Sequence, residues 1–404
     1  MTKILRRIAA AERDALALVV LWLAGACLRL TILAVPPILP LLHADLGLSE
    51  AQVGLLSSLP PLMFAVVAVP GAFLVARLGI RETLIMGLVL NAVASAARGA
   101  VHSVGFLYAT TALMGAGVSI TQPVLPPLVR TRFPDRVGFA TAVYTNGLLV
   151  GEVLAVSLTV PLLLPLVGNR WEFGFVLWAV PVLATALLVF AFGRRLVPDD
   201  HPATQLKIWF PDWKNPLIWR LGLLLGGVNA VYFVANAFLP DFLTAAGHPE
   251  LIETTLTALN LSQLPASFLM LGLAGRLATR RWAYVATASL SALSVVGIVT
   301  VKGIAIVFWS GVLGFCCAVT LVLALALPPL LSEPADVPRT SAGMFTISYG
   351  WAMAVSIFSG ELWDWTRSSL SGIAPLGLCA LMTALLASTL RFAASRTDET
   401  STPS

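Results

Sequence analysis

Three charged side chains stand inside otherwise apolar stretches of this 404-residue chain: Arg29, Arg98 and Glu152. A guanidinium at the centre of a bilayer costs about 2.5–3.5 kcal/mol on insertion scales, so something must offset Arg29. The choices are an acidic partner, a water-filled cavity or an anionic ligand. Its planar fork of donors suits a small oxyanion, a carboxylate or a nitro group, which makes Arg29 a candidate substrate-binding residue. A structural ion pair is the competing reading. Glu152 is the one acidic residue deep in any apolar stretch. Either it takes up a proton when an arriving anion claims Arg29, or it only neutralises Arg29 as a buried pair of little net value. Arg98 lies about fifteen residues into its stretch, about 22 Å along a helix and near the outer surface. Snorkelling toward water explains it there; anion attraction or gating is the functional alternative.

Uncharged polar groups follow the same logic. Asn229, Tyr232 and Asn236 are spaced i, i+3 and i+7, which puts them on one helix face. In a bilayer an unsatisfied amide is expensive, so that face points into protein or a cavity. Cavity lining and plain interhelical hydrogen bonding compete here, as they do for Gln122 and Gln263. Tyr144, Asn146, Thr346 and Tyr349 are weaker candidates.

The elements that must position these groups are long helices. Hydrophobic residues make up 58% of the chain and charged ones 11%, against about 25% charged in a soluble domain. So few charges cannot cover a soluble protein of this size, which excludes soluble enzymes and nucleic-acid binders. About 20 apolar residues cross a bilayer as a helix. Twelve such stretches are predicted: 15–42, 50–75, 82–101, 105–129, 138–165, 172–193, 216–240, 251–275, 282–301, 304–331, 341–361 and 370–392. They are continuously apolar, unlike the alternating strands of a membrane barrel. Of the 25 Lys and Arg, 20 fall on the side of the N-terminus, 3 on the other side and 2 within spans. That asymmetry predicts both termini in the cytoplasm. It also accounts for the formal charge of +5 without a nucleic-acid partner.

Shifted by 200 residues, the second half meets the first at Pro40 and Pro240, Gly47 and Gly247, Arg81 and Arg281, and Pro134 and Pro334. One common offset at equivalent places predicts a duplicated six-helix unit. Six spans return the chain to its starting side, so the repeats are parallel about an axis along the membrane normal. Arg29 falls opposite Asn229, where a central cavity would lie.

This layout resembles the major facilitator superfamily. The basic turn from Ala72 to Arg81 is similar to that superfamily's loop motif, keeping Arg77, Gly79 and Arg81, with Ala76 where the motif's acidic residue belongs. Within it, CLRLTILAVPPILPLL (27–42), TQPVLPPLVRTRFP (121–134) and PLIWRLGLLLGGVNAVYFVANAFLP (216–240) resemble the cyanate and 2-nitroimidazole permease branch. The resemblance implies that spans one and five adjoin, that an Arg at position 29 faces substrate, and that Glu152 departs from a position mostly small in the branch.

The resulting expectation is an all-α integral membrane fold: a cytoplasmic N-terminus (1–14), an N-terminal six-helix bundle (15–193), a central cytoplasmic loop (194–215), a C-terminal bundle (216–392) and a cytoplasmic tail (393–404). The function expected is alternating-access transport, across a bacterial inner membrane, of a small anion or small nitro or heteroaromatic compound. Protons are a candidate coupling ion. No cofactor, metal or enzymatic activity is expected, and the chain is expected to act as a monomer. A proton-driven small-drug exporter and an anion channel are the alternatives. Cys27, Cys316, Cys317 and Cys379 are expected as buried free thiols.

Overall fold

A computed structural model describes residues 2–196, 209–390 and 392. Within the central loop residues 197–208, and all of the tail 393–404, lie outside the described residues. Twelve helical rods follow one another among those described: α1 (Thr2–Leu30), α2 (Glu50–Leu78), α3 (Ile80–Ala97), α4 (Val104–Arg132), α5 (Pro134–Leu166), α6 (Trp171–Leu196), α7 (Pro216–Ala245), α8 (Pro249–Leu277), α9 (Arg281–Thr300), α10 (Ile304–Leu331), α11 (Pro334–Thr366) and α12 (Ser369–Ser388). Eleven of them, α2 to α12, are long and apolar enough to cross a membrane. In α1 the uncharged stretch runs from Ala15 to Leu28, between Asp14 and Arg29.

Prolines decide where the rods break. The first span was expected to run unbroken from 15 to 42, but α1 stops at Leu30. A 3-10 turn then occupies Pro36–Ile38 before a short helix, Leu39–Leu46. Pro36 and Pro37 carry no N–H for the carbonyls of Ile32 and Leu33, so the ladder cannot continue. Pro126 likewise deprives Gln122, and α4 narrows to a 3-10 turn over Gln122–Val124. Pro265 deprives Leu261, and α8 divides into Ile252–Leu261 and Gln263–Leu277. Three of the expected site residues, Arg29, Gln122 and Gln263, thus sit at or beside backbone breaks.

The two halves use one packing scheme. α1 lies on α5 as α7 lies on α11; α3 lies between α4 and α6 as α9 lies between α10 and α12. Small residues allow the closest crossings. A Cβ at Gly25 would overlap the Tyr144 carbonyl, one at Gly147 the Trp22 carbonyl, and one at Gly151 would meet the Ala26 carbonyl at 2.6 Å. Gly222 and Gly226 face Ile347, Ser348 and Trp351 in the matching pair. The bundles meet along α2–α11 and α5–α8. One apolar core at the end bearing the basic loops draws on both halves, and each half keeps a separate core toward the other end. The four cysteines are buried and unpaired.

Candidate functional site

Glycine packing brings the two charges together. Gly147 and Gly151 set α5 against the backbone of α1 between Trp22 and Ala26. Arg29 stands one turn beyond Ala26, and Glu152 follows Gly151, so the two face each other with Arg29 Nε 3.9 Å from Glu152 Oε2. Each side chain is 12% exposed. Arg29 is not in the middle of a helix, as a continuous span would have put it. It lies in the last turn of α1, where the partial negative charge of the helix end favours a cation. Its guanidinium makes no hydrogen bond to any described residue, so its donors remain open.

The carboxylate is held from the other half. Tyr232 on α7 donates its hydroxyl to Glu152 Oε1 at 2.5 Å. The same hydroxyl lies 2.7 Å from Asn260 Oδ1 and beside the Gln263 amide on α8. Asn260 Nδ2 donates to Asn236 Oδ1 at 2.8 Å, and Asn236 donates to the Tyr232 carbonyl at 2.9 Å. Arg29, Glu152, Tyr232, Asn236 and Gln263 therefore form one polar cluster spanning the two bundles. Asn260 joins it without having been anticipated. The signal was available: Asn260 and Gln263 are spaced i, i+3 in an apolar stretch.

Across from this cluster, the Gln122 amide and Tyr349 hydroxyl are 3.3 Å apart, and Tyr349 stacks on Phe64 with ring centroids 4.4 Å apart. Among the described residues the Arg29 guanidinium is paired with Glu152. Asn229 is not brought to it. Its amide donates to Ser348 Oγ on α11 at 2.8 Å, an interhelical bond within the second half. Asn146 accepts from Trp22 Nε1 at 2.9 Å and donates to Ser267 Oγ at 3.0 Å, tying α1, α5 and α8. Tyr144 and Thr346 are candidates that join nothing: both hydroxyls are buried without a hydrogen-bond partner among the described residues.

Arg98 corrects the snorkelling expectation. It is fully buried, and its Cζ lies 3.9 Å from the centroid of the Phe175 ring. Nη2 donates to the Thr31 carbonyl and to Ser95 Oγ, both at 2.8 Å. A straight first span would have left this place to lipid and water. The broken end of α1 fills it and offers a carbonyl instead. In the loop motif, Gly79 takes φ +89° and separates α2 from α3. Arg77 lies over the Phe73 ring at 5.2 Å. With Ala76 in the motif's acidic place, Arg81 pairs with its neighbour Glu82 at 2.9 Å and donates to the Phe190 carbonyl near the end of α6 at 2.7 Å.

Twelve rods in two like bundles, meeting along α2–α11 and α5–α8 around a mid-depth polar cluster, describe a membrane transporter rather than an enzyme. The sequence matches the Major Facilitator Superfamily over residues 21–356, and the chain belongs to that family. It is 28% identical over 346 residues to the uncharacterized transporter YycB of Bacillus subtilis, covering 84% of this chain and 85% of that one. It is also 28% identical to two Escherichia coli proteins. The 2-nitroimidazole transporter aligns over 87% of this chain and 92% of its own length. The cyanate transport protein CynX aligns over 93% and 97%. Among solved structures, the proton:xylose symporter XylE superposes with a TM-score of 0.74 over 93% of this chain and 95% of its own, at 12% identity. That likeness concerns the fold alone.

Proposed function

We propose that this transporter carries a small anion, or a small nitro or heteroaromatic compound, through alternating access, with Arg29 as the group that binds it. One observation carries the reading: Arg29 is an intramembrane cation whose donors make no hydrogen bond to any described residue, while its carboxylate neighbour stays 3.9 Å away and is hydrogen-bonded by Tyr232 instead. A guanidinium left in that condition offers two parallel N–H groups to an incoming oxyanion or nitro group. Gln122, Gln263, Asn236 and Tyr349 supply hydrogen bonds and shape at its flanks. The names of the cyanate and nitroimidazole relatives agree with such a cargo. The halves share a core at the basic end and keep separate cores at the other, which supports a state open away from the cytoplasm. Both termini lie in the cytoplasm of a bacterial inner membrane on this reading.

Glu152 is the coupling group. An anion on Arg29 competes with the carboxylate for the guanidinium. Once displaced in a site of low dielectric, the carboxylate takes a proton. The test is uptake of labelled cyanate and 2-nitroimidazole into proteoliposomes, with and without an imposed pH gradient. Saturable uptake with counterflow from preloaded vesicles supports a carrier, and counterflow that no longer responds to pH in Glu152→Gln supports coupling. Uptake that never saturates would make the protein a channel. Pumping in Glu152→Gln that still follows the gradient would reduce Glu152 to a counter-charge.

A further inference from the structure

We infer that Arg98 is a positioning residue: it holds the broken end of α1 and so fixes the direction in which Arg29 presents its donors. The proline pair sets up the need. Pro36 cannot donate to Ile32, and the Val35 N–H turns to the Ile32 carbonyl instead, at 3.4 Å. That leaves the Thr31 carbonyl without its helical donor, in a place no water reaches. A buried carbonyl left unsatisfied there destabilises the fold. Arg98 Nη2 supplies the missing bond at 2.8 Å.

α3 is shaped for this task over two turns. Asn91, Ser95 and Arg98 are spaced i, i+4 and i+7 and face α1 together. Asn91 Nδ2 donates to the Cys27 carbonyl at 3.1 Å, Thr31 Oγ1 donates to Asn91 Oδ1 at 2.8 Å, and Ser95 Oγ steadies the guanidinium. The contacts at Cys27 and Thr31 bracket Arg29. Among the described residues no carboxylate pairs with Arg98, and its Nη1 has no hydrogen-bond partner. Its charge is therefore balanced by the helix end and the face of Phe175 rather than by an ion pair. Anchored to α3 through Ser95 and to α1 through the Thr31 carbonyl, the guanidinium ties the two helices together at the turn that carries Arg29.

The proline origin of the defect provides its own suppressor. Pro36→Ala restores an N–H for Ile32, releases Val35 for Thr31, and removes the need for Arg98. The measurement is hydrogen–deuterium exchange of the segment 27–38 in lipid nanodiscs, beside the apparent affinity for cyanate read by thermal shift. Arg98→Met should speed exchange in that segment about tenfold or more and weaken cyanate binding by a similar factor, the value of a lost charge-assisted bond. Arg98→Lys should recover part of both effects, and Pro36→Ala with Arg98→Met should return both to within about twofold of the parent Pro36→Ala protein. Wild-type exchange in Arg98→Met, or a double variant no better than Arg98→Met alone, overturns the inference. If Arg98→Met does not fold, a folded double variant supports it and an unfolded one overturns it. The cyanate arm rests on the Arg29 reading. Should cyanate bind no variant while exchange follows the pattern, the substrate reading fails and the role of Arg98 at the end of α1 stands.

Discussion

Two arginines sit at the same broken helix end and are treated in opposite ways. Arg29 belongs to the last turn of α1, remains 12% exposed and hydrogen-bonds to no described residue. Arg98 reaches that end from α3, is sealed from solvent, and spends its donors on the Thr31 carbonyl and Ser95. Both draw on the partial negative charge of the same carbonyl end. On the proposed reading, the neighbours separate a ligand group from a scaffold group inside a membrane. Arg98 is satisfied by protein atoms already present, whereas Arg29 is left short of hydrogen-bond partners, with Glu152 3.9 Å away as the competitor an anion would displace. The two side chains have the same chemistry and differ only in their surroundings.

That contrast can be broken at several points, and the largest effect should come from the packing that creates it. Gly147→Leu drives a side chain into the Trp22 backbone. We expect a loss of about 3 kcal/mol in unfolding free energy, at the upper end of overpacking penalties, and loss of ligand binding as α1 leaves α5. Thermal unfolding in nanodiscs measures it. Arg29→Gln should leave stability close to wild type but weaken anion binding by about 1.5–3 kcal/mol, or roughly ten- to a hundredfold in Kd. Arg98→Met should differ from Arg29→Gln in costing stability as well, about 1–3 kcal/mol for the orphaned Thr31 carbonyl, alongside its roughly tenfold loss of cyanate affinity. Tyr232→Phe frees one carboxylate oxygen of Glu152, costs about 1 kcal/mol of stability, and lets the carboxylate approach Arg29. Weaker competition by the anion, seen as a raised Kd, is the expected sign. The smallest effect belongs to Asn229→Leu. Its bond to Ser348 is worth about 0.6 kcal/mol by comparison with other membrane proteins, and cyanate affinity should not move.

How far this contrast could be read from the residues themselves depends on what each depends upon. Local composition sufficed for the twelve rods, because a bilayer demands continuous apolar helices whatever their partners. The meeting of Arg29 and Glu152 needed more than composition: the charges mark themselves as exceptional in an apolar medium, but that α1 and α5 adjoin came from the family resemblance. Arg98 was misread because its environment is made by another helix. Its depth follows from its own span, and Arg98 does cap the end of α3; although Pro36 and Pro37 are visible in the sequence, the carbonyl they orphan becomes a partner only when α3 is packed against it. Asn229 shows the limit of repeat logic. It matches Arg29 at an offset of 200, but α7 runs unbroken from Pro216 to Ala245 while α1 stops at Leu30, so equivalent positions acquire different neighbours. Asn260 was within reach of spacing alone.

The most direct measurement of the central claim, that Arg29 is the open donor awaiting an anion, is thermal stabilisation of the purified protein by cyanate in wild type, Arg29→Gln and Arg98→Lys. A ligand binding only the folded state stabilises it by about 2.7 kcal/mol at a hundredfold excess over Kd. The account predicts stabilisation of the wild type, a weaker but present shift in Arg98→Lys, and none in Arg29→Gln at the same concentration. Equal stabilisation of wild type and Arg29→Gln would contradict it and make Arg29 a structural charge.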